Sequence, residues 1–409
     1  MTSKSPVTNL TQRFPEMGTG PIDVGPYRDP EFFEREKEAI FRRAWMMAGR
    51  TSQIPNPGDF FVRDVPTFDI SLIFVRGPDG QIRGFHNACR HRGNHVCLGK
   101  SGNCRAFTCK FHGWTYNLEG ELAGVPDEAS FFDLNKSELN LIPVSTDIWE
   151  GFIFFNLDTN PDQSLQQHLG GIGDALSGYP FGDGVSRFQF SGLIKANWKS
   201  VMDSFCEIYH VPSLHKYSIA ETLAGPDNPF GHLLDIRTYG PHRTATISGN
   251  KDYRPKPVQG IAYAFAQGDA ITGGQGVRSD LPPGVNPTKS ENWGLDVNIL
   301  FPNLLPVIGP GMYFTHQMWP LAPDRTVWEM TGFLAPARTA ADRFVQEYFM
   351  IELRDAVLED MNTVERAQSA INAGIINEFH YQDHEVALRY HYHVINKALN
   401  EFENRAAAE

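Results

Sequence analysis

The spacing of apolar residues changes along the chain. Near the N-terminus, Phe33, Ile40 and Trp45 stand at helical spacing among charged residues, which predicts an amphipathic helix. From about residue 58 to 156, short β-rich runs alternate with Gly, Pro and Asp turns, which predicts a small antiparallel β domain. Beyond about residue 159, strand-like runs mix with helices, and the last stretch is strongly helical. A larger α+β domain is therefore predicted there.

One long stretch lacks clear periodicity. Residues 219–296 are rich in Gly, Pro and Asp and include "TGGQG" and "DLPPG". Irregular segments of this length are typical of lids and loops, so we expect it to cover the entrance of a pocket. "TGGQG" is not followed by Lys, which argues against a phosphate-binding loop.

Charge and composition narrow the class of partner. The 409 residues carry a formal net charge of -12. Nucleic acids and anionic membranes bind basic surfaces, so neither is expected as a partner, and a basic electron-donor protein would fit better. The N-terminus lacks an apolar signal stretch, and the most apolar later run is broken by Pro302, Pro306 and Pro310. We expect a soluble, cytoplasmic protein.

Four of the five cysteines lie in one short stretch, "CRHRGNHVCLGKSGNCRAFTCKFHGW". An odd, low number of cysteines disfavours a secreted disulfide scaffold. Cys89 and His91 are separated by one residue, and Cys109 and His112 by two. Zinc accepts such a mixture of thiolates and imidazoles. A two-iron cluster, with thiolates on one iron and imidazoles on the other, fits the same set.

"CRHRG" and "CKFHGW" resemble the two ligand loops of a Rieske [2Fe-2S] domain. The resemblance implies that Cys89 and Cys109 hold one iron and that His91 and His112 hold the other. The other cysteines and histidine of this stretch lie outside the motif, and we predict that they do not bind the iron cluster: Cys97, Cys104 and His95.

A second group of potential ligands lies in "NWKSVMDSFCEIYHVPSLHKYS", which supplies His210 and His215. On an unbroken helix, side chains five residues apart point about 140° away from each other. Pro212 cannot continue the hydrogen-bonded ladder, so we expect the helix to end near His210 and the chain to turn His215 back. Ser213 is a candidate cap of the next short helix.

Two histidines and one carboxylate form the ligand set of non-haem Fe(II) oxygenases. The helix "QEYFMIELRDAVLEDMNTVERAQSAI" offers Glu352, Asp355, Glu359 and Asp360 as the carboxylate. Apolar residues advance by three and four positions on either side of Asp360, which places it within a buried stripe. Glu359 lies on the polar face of the same helix, where contact with water is enough to explain a charged residue. Because a buried ionised carboxylate needs a partner, Asp360 is predicted as the third ligand.

"NWK", "EIYHVPSLH" and "LEDMNTVERAQ" resemble the mononuclear-iron motifs of Rieske non-haem iron oxygenase catalytic subunits. The resemblance implies an α+β fold in which an antiparallel β Rieske domain is inserted into a helix-grip (START-like) catalytic domain. The predicted parts are an N-terminal helical segment at 1–43 that packs on the catalytic domain, the Rieske domain at 44–158 and the catalytic domain at 159–409. The resemblance also implies a trimer in which each cluster feeds the iron of the adjacent subunit.

An acidic residue lies close to the predicted iron ligands. Glu207 precedes His210 by three residues, so both would share one face of a helix. The resemblance implies that Glu207 links His112 of the partner subunit to His210. Many relatives carry Asp here, so the longer side chain leaves the geometry of the bridge open. Asp203 is the runner-up, and an interface salt bridge is the alternative role.

The resemblance implies a terminal oxygenase that hydroxylates a hydrophobic small molecule, with an aromatic one favoured. It would use O2 and electrons from NAD(P)H, delivered by a separate ferredoxin or flavin reductase, or both. The assembly would be a homotrimer or an α3β3 hexamer with a small beta subunit. An N- or O-dealkylating monooxygenase, a non-catalytic Rieske electron carrier and a structural zinc protein stay open as alternatives.

Apolar residues near the histidine motif and in the later strands are candidates for the substrate pocket, although each suits a core position equally well. The candidates are Met202, Phe205, Leu214, Ile219, Leu223, Ile299, Phe301, Leu304, Val307 and Phe314.

Overall fold

The structure is a computed structural model, and it describes residues 9–183, 185–265, 281–309, 312–334 and 336–407. The chain forms two compact units. One runs from Phe41 to His168, and the other joins the residues up to Ile40 to those from Leu169 onward. The first unit is therefore an insertion in the second.

The predicted N-terminal helix is shorter than expected. After strand β1 (Ile22–Asp23), helix α1 (Pro30–Glu36) is followed by a π-helical turn at Lys37–Phe41. The side chain of Asp29 accepts a hydrogen bond from the backbone of Glu31, and this cap fixes the start of the helix. Trp45 stands at helical spacing but lies outside the helix.

The inserted unit consists of short antiparallel strands, as predicted. Within the described residues, one sheet has the order β2-β11-β10-β5-β4-β3-β6 and a smaller one the order β7-β8-β9. The strands are β2 (Met46–Arg50), β3 (Asp59–Val65), β4 (Ile70–Arg76), β5 (Ile82–His86), β6 (Ser101–Asn103), β7 (Phe107–Thr108), β8 (Thr115–Tyr116), β9 (Leu122–Gly124), β10 (Pro143–Trp149) and β11 (Phe152–Asn156).

The rest of the chain contains an antiparallel sheet of order β12-β18-β17-β16-β15-β14-β13 and several helices, which confirms the predicted α+β class. The helices are α2 (Leu165–Leu176), α3 (Trp198–Asp203), α4 (Val211–Leu214), α5 (Ala220–Leu223), α6 (Pro257–Phe265), α7 (Ala340–Asn372) and α8 (Val386–Ala406). The strands are β12 (Val185–Ile194), β13 (Asp235–Tyr239), β14 (His242–Ser248), β15 (Trp293–Ile299), β16 (Leu304–Gly309), β17 (Met312–Ala322), β18 (Arg325–Leu334) and β19 (Glu378–Phe379).

The long helix α7 packs closely on this sheet. The backbone N–H groups of Lys195 and Asn197 donate to Glu365 and Gln368 of α7, at 2.9 and 3.0 Å. Gly332 of β18 leaves room for Met350 of α7, because a Cβ atom at position 332 would lie 2.5 Å from the Met350 methyl carbon. These contacts fix α7, and with it the candidate ligand that α7 carries.

The expectation of an irregular segment at 219–296 is wrong for much of its described part. Strands β13 and β14, two helices and the start of β15 lie within it, and residues 266–280 fall outside the described chain. All seven residues of β14 are buried although most are polar. Buried pairs such as the Thr244 hydroxyl and the Asn298 side chain, 2.8 Å apart, make this possible.

Among the described residues, we find no helix that combines the length and the apolar character needed to cross a membrane.

A buried ion pair ties α1 to α3. Glu36 and Lys199 are essentially inaccessible to solvent, and their charged groups lie 2.7 Å apart. The second oxygen of Glu36 accepts from the indole N–H of Trp198 at 3.1 Å, and Lys199 also donates to the carbonyl of Pro26. Each charge is thus neutralised and hydrogen-bonded, which offsets the cost of removing it from water.

We predict that Glu36→Ala destabilises the protein by about 3 to 5 kcal/mol, because it leaves the buried Lys199 ammonium without a counter-charge. Calorimetric melting should show a clear loss of thermal stability. The double variant Glu36→Leu, Lys199→Met removes both charges and should melt much closer to the natural protein. Equal losses in the single and double variants would contradict this interpretation.

Candidate metal centres

Two backbone loops of the inserted unit have the same geometry. In the first, the N–H of Cys89 donates to the carbonyl of Asn94 at 2.8 Å. In the second, the N–H of Cys109 donates to the carbonyl of Trp114 at 2.8 Å. Both cysteines therefore begin a closed turn of six residues, and the two turns form a matched pair.

A glycine makes each turn possible. The N–H groups of Gly93 and Gly113 donate to the carbonyls of Cys89 and Cys109, both at 2.9 Å. Both glycines have left-handed backbone angles, with φ of 78° and 76°. A side chain would strain this conformation, so glycine is the residue that closes both loops at low cost.

The matched loops bring two thiols and two imidazoles to one end of the unit. Cys89 and Cys109 are buried, whereas His91 is partly exposed and His112 is exposed. The Nδ1 atoms of the two histidines lie 3.1 Å apart. Two ring nitrogens that face each other, next to two buried thiols, fit a cluster with thiolates on one iron and imidazoles on the other.

Hydrogen-bond donors lie close to the sulfur atoms of Cys89 and Cys109. Burial would raise the pKa of the Cys109 thiol, but donors that include the backbone N–H of Phe111 and the Asn94 side chain bring it below its usual value. The Tyr116 hydroxyl lies 3.4 Å from the sulfur of Cys89. Such donors stabilise the thiolate form, which is the form that binds metal.

The other cysteines of the stretch have no comparable geometry. All five cysteines of the chain are free thiols in the structure. Cys97 donates to the carbonyl of Gly99 at 3.3 Å, and burial raises the pKa of Cys104 to about 11. Trp114 stacks on the His91 ring with 4.9 Å between centroids.

A second cluster lies in the larger unit. The side chains of His210, His215 and Asp360 present ligand atoms that all lie within 4.8 Å of one another. The Nε2 atoms of His210 and His215 are 3.3 and 3.0 Å from the same oxygen of Asp360. That oxygen is buried and lacks a hydrogen bond of good geometry among the described residues. A metal ion held by all three side chains would satisfy it.

The far side of each imidazole is held by a carboxylate. Nδ1 of His210 donates to Glu207, and Nδ1 of His215 donates to Glu359 at 2.7 Å. With a proton held on each Nδ1, the lone pair of each Nε2 is available to a metal ion bound beside Asp360. Two neutral imidazoles and one carboxylate are the donors expected for mononuclear Fe(II).

Charges at the centre favour a cation. Burial alone would lower the pKa of His210, but the carboxylates of Asp360 and Glu207 raise it to about 10. Burial would raise the pKa of Asp360, but its contacts with His210 and His215 keep it below the usual value. The site therefore holds positive charge, on an imidazolium or on a metal ion.

The chain reaches this geometry differently from the sequence prediction. Helix α3 ends at Asp203, well before His210, so the predicted helix end is wrong. Pro212 instead lies in the first turn of α4, where its missing N–H removes no helical hydrogen bond. His210 and His215 flank this single turn, and its winding brings them together. Ser213 lies inside α4, so it does not cap the next helix.

Glu207 lies in the turn between α3 and α4, not on a helical face shared with His210. One of its oxygens accepts from the backbone N–H groups of Tyr209 and His210, and the other holds the His210 ring. The carboxylate therefore shapes the turn and orients the imidazole. The link to His112 of the partner subunit stays a prediction.

Asp203, the runner-up, lies deeper in the unit. It accepts a hydrogen bond from Nδ1 of His391 in α8 at 2.7 Å, and the Tyr27 hydroxyl is 3.4 Å from its other oxygen. The contacts described for it tie α3 to α8 and to the N-terminal segment.

The prediction that solvation alone explains Glu359 is wrong. Its carboxylate is bound by His215 and by the Ser218 hydroxyl, both at 2.7 Å. Its side chain is about one-third exposed, at 35%. The spacing of residues within α7 could not predict these contacts, because His215 and Ser218 are remote from Glu359 in sequence. Its position next to Asp360 was the one available indication.

A cavity opens beside the three candidate ligands. It encloses about 530 Å³ of empty space, its open mouth included. Of the predicted pocket residues, the cavity is lined by Phe205, Ile219, Leu223, Val307 and Phe314. The structure places the other predicted pocket residues outside this lining, and most of them are buried in the core: Met202, Leu214, Ile299, Phe301 and Leu304.

Two curated relatives show the breadth of chemistry among similar proteins. The chain is 31% identical to the oxygenase subunit of carnitine monooxygenase from Escherichia coli (strain K12), over 46% of this chain and 50% of the relative. It is 35% identical to the alpha subunit of benzene 1,2-dioxygenase from Pseudomonas putida, over 47% of this chain and 43% of the relative. The matched part spans about half the length of these relatives.

The fold is similar to solved structures. A quaternary ammonium Rieske monooxygenase in complex with an inhibitor superposes with a TM-score of 0.73 at 20% identity, over 93% of this chain and 96% of the other. Two family descriptions match the sequence. Residues 44–143 match the Rieske [2Fe-2S] domain, and residues 177–401 match the ring hydroxylating alpha subunit (catalytic domain). The second match covers more than half of the chain, which therefore belongs to the ring-hydroxylating alpha subunits, a family that combines a Rieske [2Fe-2S] cluster with a mononuclear iron.

Proposed function

We propose that the protein is a terminal oxygenase that hydroxylates an apolar, aromatic small molecule. The observation that carries the proposal is the composition of the cavity beside His210, His215 and Asp360. Apart from these ligands, the wall is dominated by aliphatic and aromatic side chains, including Phe205 and Phe314. Apolar walls with few polar groups bind apolar ligands through burial.

The charges in the wall argue against a zwitterionic substrate. Carnitine and betaines carry a carboxylate, which needs a cationic or hydrogen-bonding partner when it is buried. In the described lining of the cavity there is no Lys or Arg. The Ser204 hydroxyl, which also lies in the wall, already donates to the carbonyl of Val201 at 2.9 Å. A neutral arene would leave no charge unpaired in such a cavity.

The chain's own residues prepare the site for this chemistry. When bound, the cluster and the mononuclear iron supply the electrons and the reductive activation of O2. Glu207 and Glu359 hold the two imidazoles in one tautomer and orientation, so that both Nε2 atoms face Asp360. The apolar wall positions the substrate next to these ligands and excludes water.

Electron delivery would involve partners. We propose a reductase or ferredoxin as the donor and a trimer, with or without a small beta subunit, as the assembly. Glu207 would accept a hydrogen bond from His112 of the partner subunit. In support, Glu207 directly holds the ring of the candidate ligand His210, whereas Asp203 binds His391 and has no described contact with a candidate ligand.

A second candidate is N-dealkylation of a quaternary ammonium substrate. The similarity to carnitine monooxygenase favours it, and so do the aromatic rings of Phe205 and Phe314, because ring faces attract cations. The described wall still provides no Lys or Arg to pair with a substrate carboxylate.

A substrate screen with a surrogate reductase separates the two candidates. We expect toluene, naphthalene or biphenyl to yield products that carry oxygen from 18O2 by mass spectrometry. Carnitine and glycine betaine should yield no cleaved amine above background. Amine release without any hydroxylated arene would contradict the proposal and favour dealkylation.

We predict that Glu359→Ala weakens metal binding at the His210, His215 and Asp360 site by about 10- to 100-fold, because the His215 ring loses the carboxylate that orients it. Titration of the protein with Co(II), followed by its visible absorption, measures this affinity without turnover. Asp355→Asn is the matched control, since Asp355 is exposed on the same helix and pairs with Arg354. Equal affinities in the two variants would remove the positioning role of Glu359.

A further inference from the structure

The cavity wall contains one histidine that none of the metal chemistry uses. His316 of β17 is almost fully buried, at 1% exposure, and lines the cavity. Its ring stacks on Phe205 with 4.3 Å between centroids and meets Phe314 edge-on at 5.4 Å. Aromatic contacts on two sides therefore fix the plane of the imidazole.

A neighbouring strand determines the tautomer of this histidine. The indole N–H of Trp328 in β18 donates to Nδ1 of His316 at 3.0 Å. An indole nitrogen can only donate, so Nδ1 is the acceptor and the ring proton is on Nε2. Burial lowers the pKa of His316 to about 3, so the ring is neutral at physiological pH.

The Nε2–H group of His316 is a buried donor without a hydrogen-bond partner among the described residues. Other polar groups of the wall are already in use. The Ser204 hydroxyl is bound to a backbone carbonyl, and the Nε2 atoms of His210 and His215 face Asp360. An unsatisfied buried donor is costly, and a ligand atom that accepts its hydrogen would recover that free energy.

We propose that Nε2–H of His316 is a specificity determinant that favours aromatic substrates carrying one hydrogen-bond acceptor, such as a ring nitrogen, a carbonyl or an ether oxygen. This inference rests on the proposed function, because it assumes that an apolar arene occupies the cavity. A bond from the acceptor to His316 also fixes the rotation of the arene in its plane. It therefore determines which edge of the ring faces the iron ligands, and hence the position that is hydroxylated.

Naphthalene and quinoline provide the matched probes, because they share one shape and quinoline adds a ring nitrogen that accepts a hydrogen bond. Dissociation constants of both are measured for the natural protein and for His316→Phe and His316→Leu. The first variant keeps an aromatic ring, and the second introduces a smaller, aliphatic side chain. A folding defect in one variant therefore still leaves the other for the test. Phe314→Leu is the control, since it alters the same wall without removing a donor.

We expect the ratio of the quinoline constant to the naphthalene constant to rise about fivefold in both His316 variants, which is the effect of one neutral hydrogen bond. Using the ratio cancels the different hydration of the two probes. In Phe314→Leu, both constants should change together and the ratio should stay the same. An unchanged ratio in the His316 variants, with naphthalene still bound, would overturn the role of His316 and leave the proposed function intact. If the natural protein binds neither probe, both proposals fall.

Discussion

The arrangement of the catalytic unit depends on one constraint: two imidazoles must present the same nitrogen to one buried carboxylate. Each ring has its Nδ1 atom tied to a second carboxylate, Glu207 for His210 and Glu359 for His215. Each ring can therefore act as a neutral ligand that binds a metal ion together with Asp360. Glu207, Glu359 and Asp360 all lie against the two rings, and a cation bound among the rings and Asp360 would offset the repulsion between these carboxylates.

The remaining structure holds these groups in place. Helix α7 carries both Glu359 and Asp360, and its close packing at Gly332 fixes its height on the sheet. The sheet, in turn, supplies the apolar wall beside the metal and His316 within that wall. Glu359 and Asp360 thus come from one helix, and His316 and much of the cavity wall come from one sheet. The two histidine ligands come from the segment around α4.

The sequence predicted the parts whose signal is local. The two Cys-His loops and the apolar spacing around Asp360 are patterns within short segments. The insertion of the β domain in an α+β fold, which the resemblance implied, is confirmed. The roles of Glu359 and His316 depend on residues from other elements, so no periodicity within their own segments indicates them. The prediction from Pro212 was wrong because proline is compatible with two positions: it ends a helix, and it is also accepted in the first turn of one. Strand β14 was not predicted because its polar side chains are buried and bond to residues from other elements, as Thr244 does to Asn298 of β15.

Metal analysis of the purified protein combined with EPR spectroscopy tests directly whether one chain holds two distinct iron sites. We expect about three irons and two inorganic sulfides per chain, with a Rieske signal in the reduced protein. Asp360→Ala should contain about two irons and keep that signal unchanged, because the cluster ligands lie in the other unit. A colourless protein containing zinc, or a variant that loses the cluster signal together with the third iron, would contradict the presence of two separate iron sites.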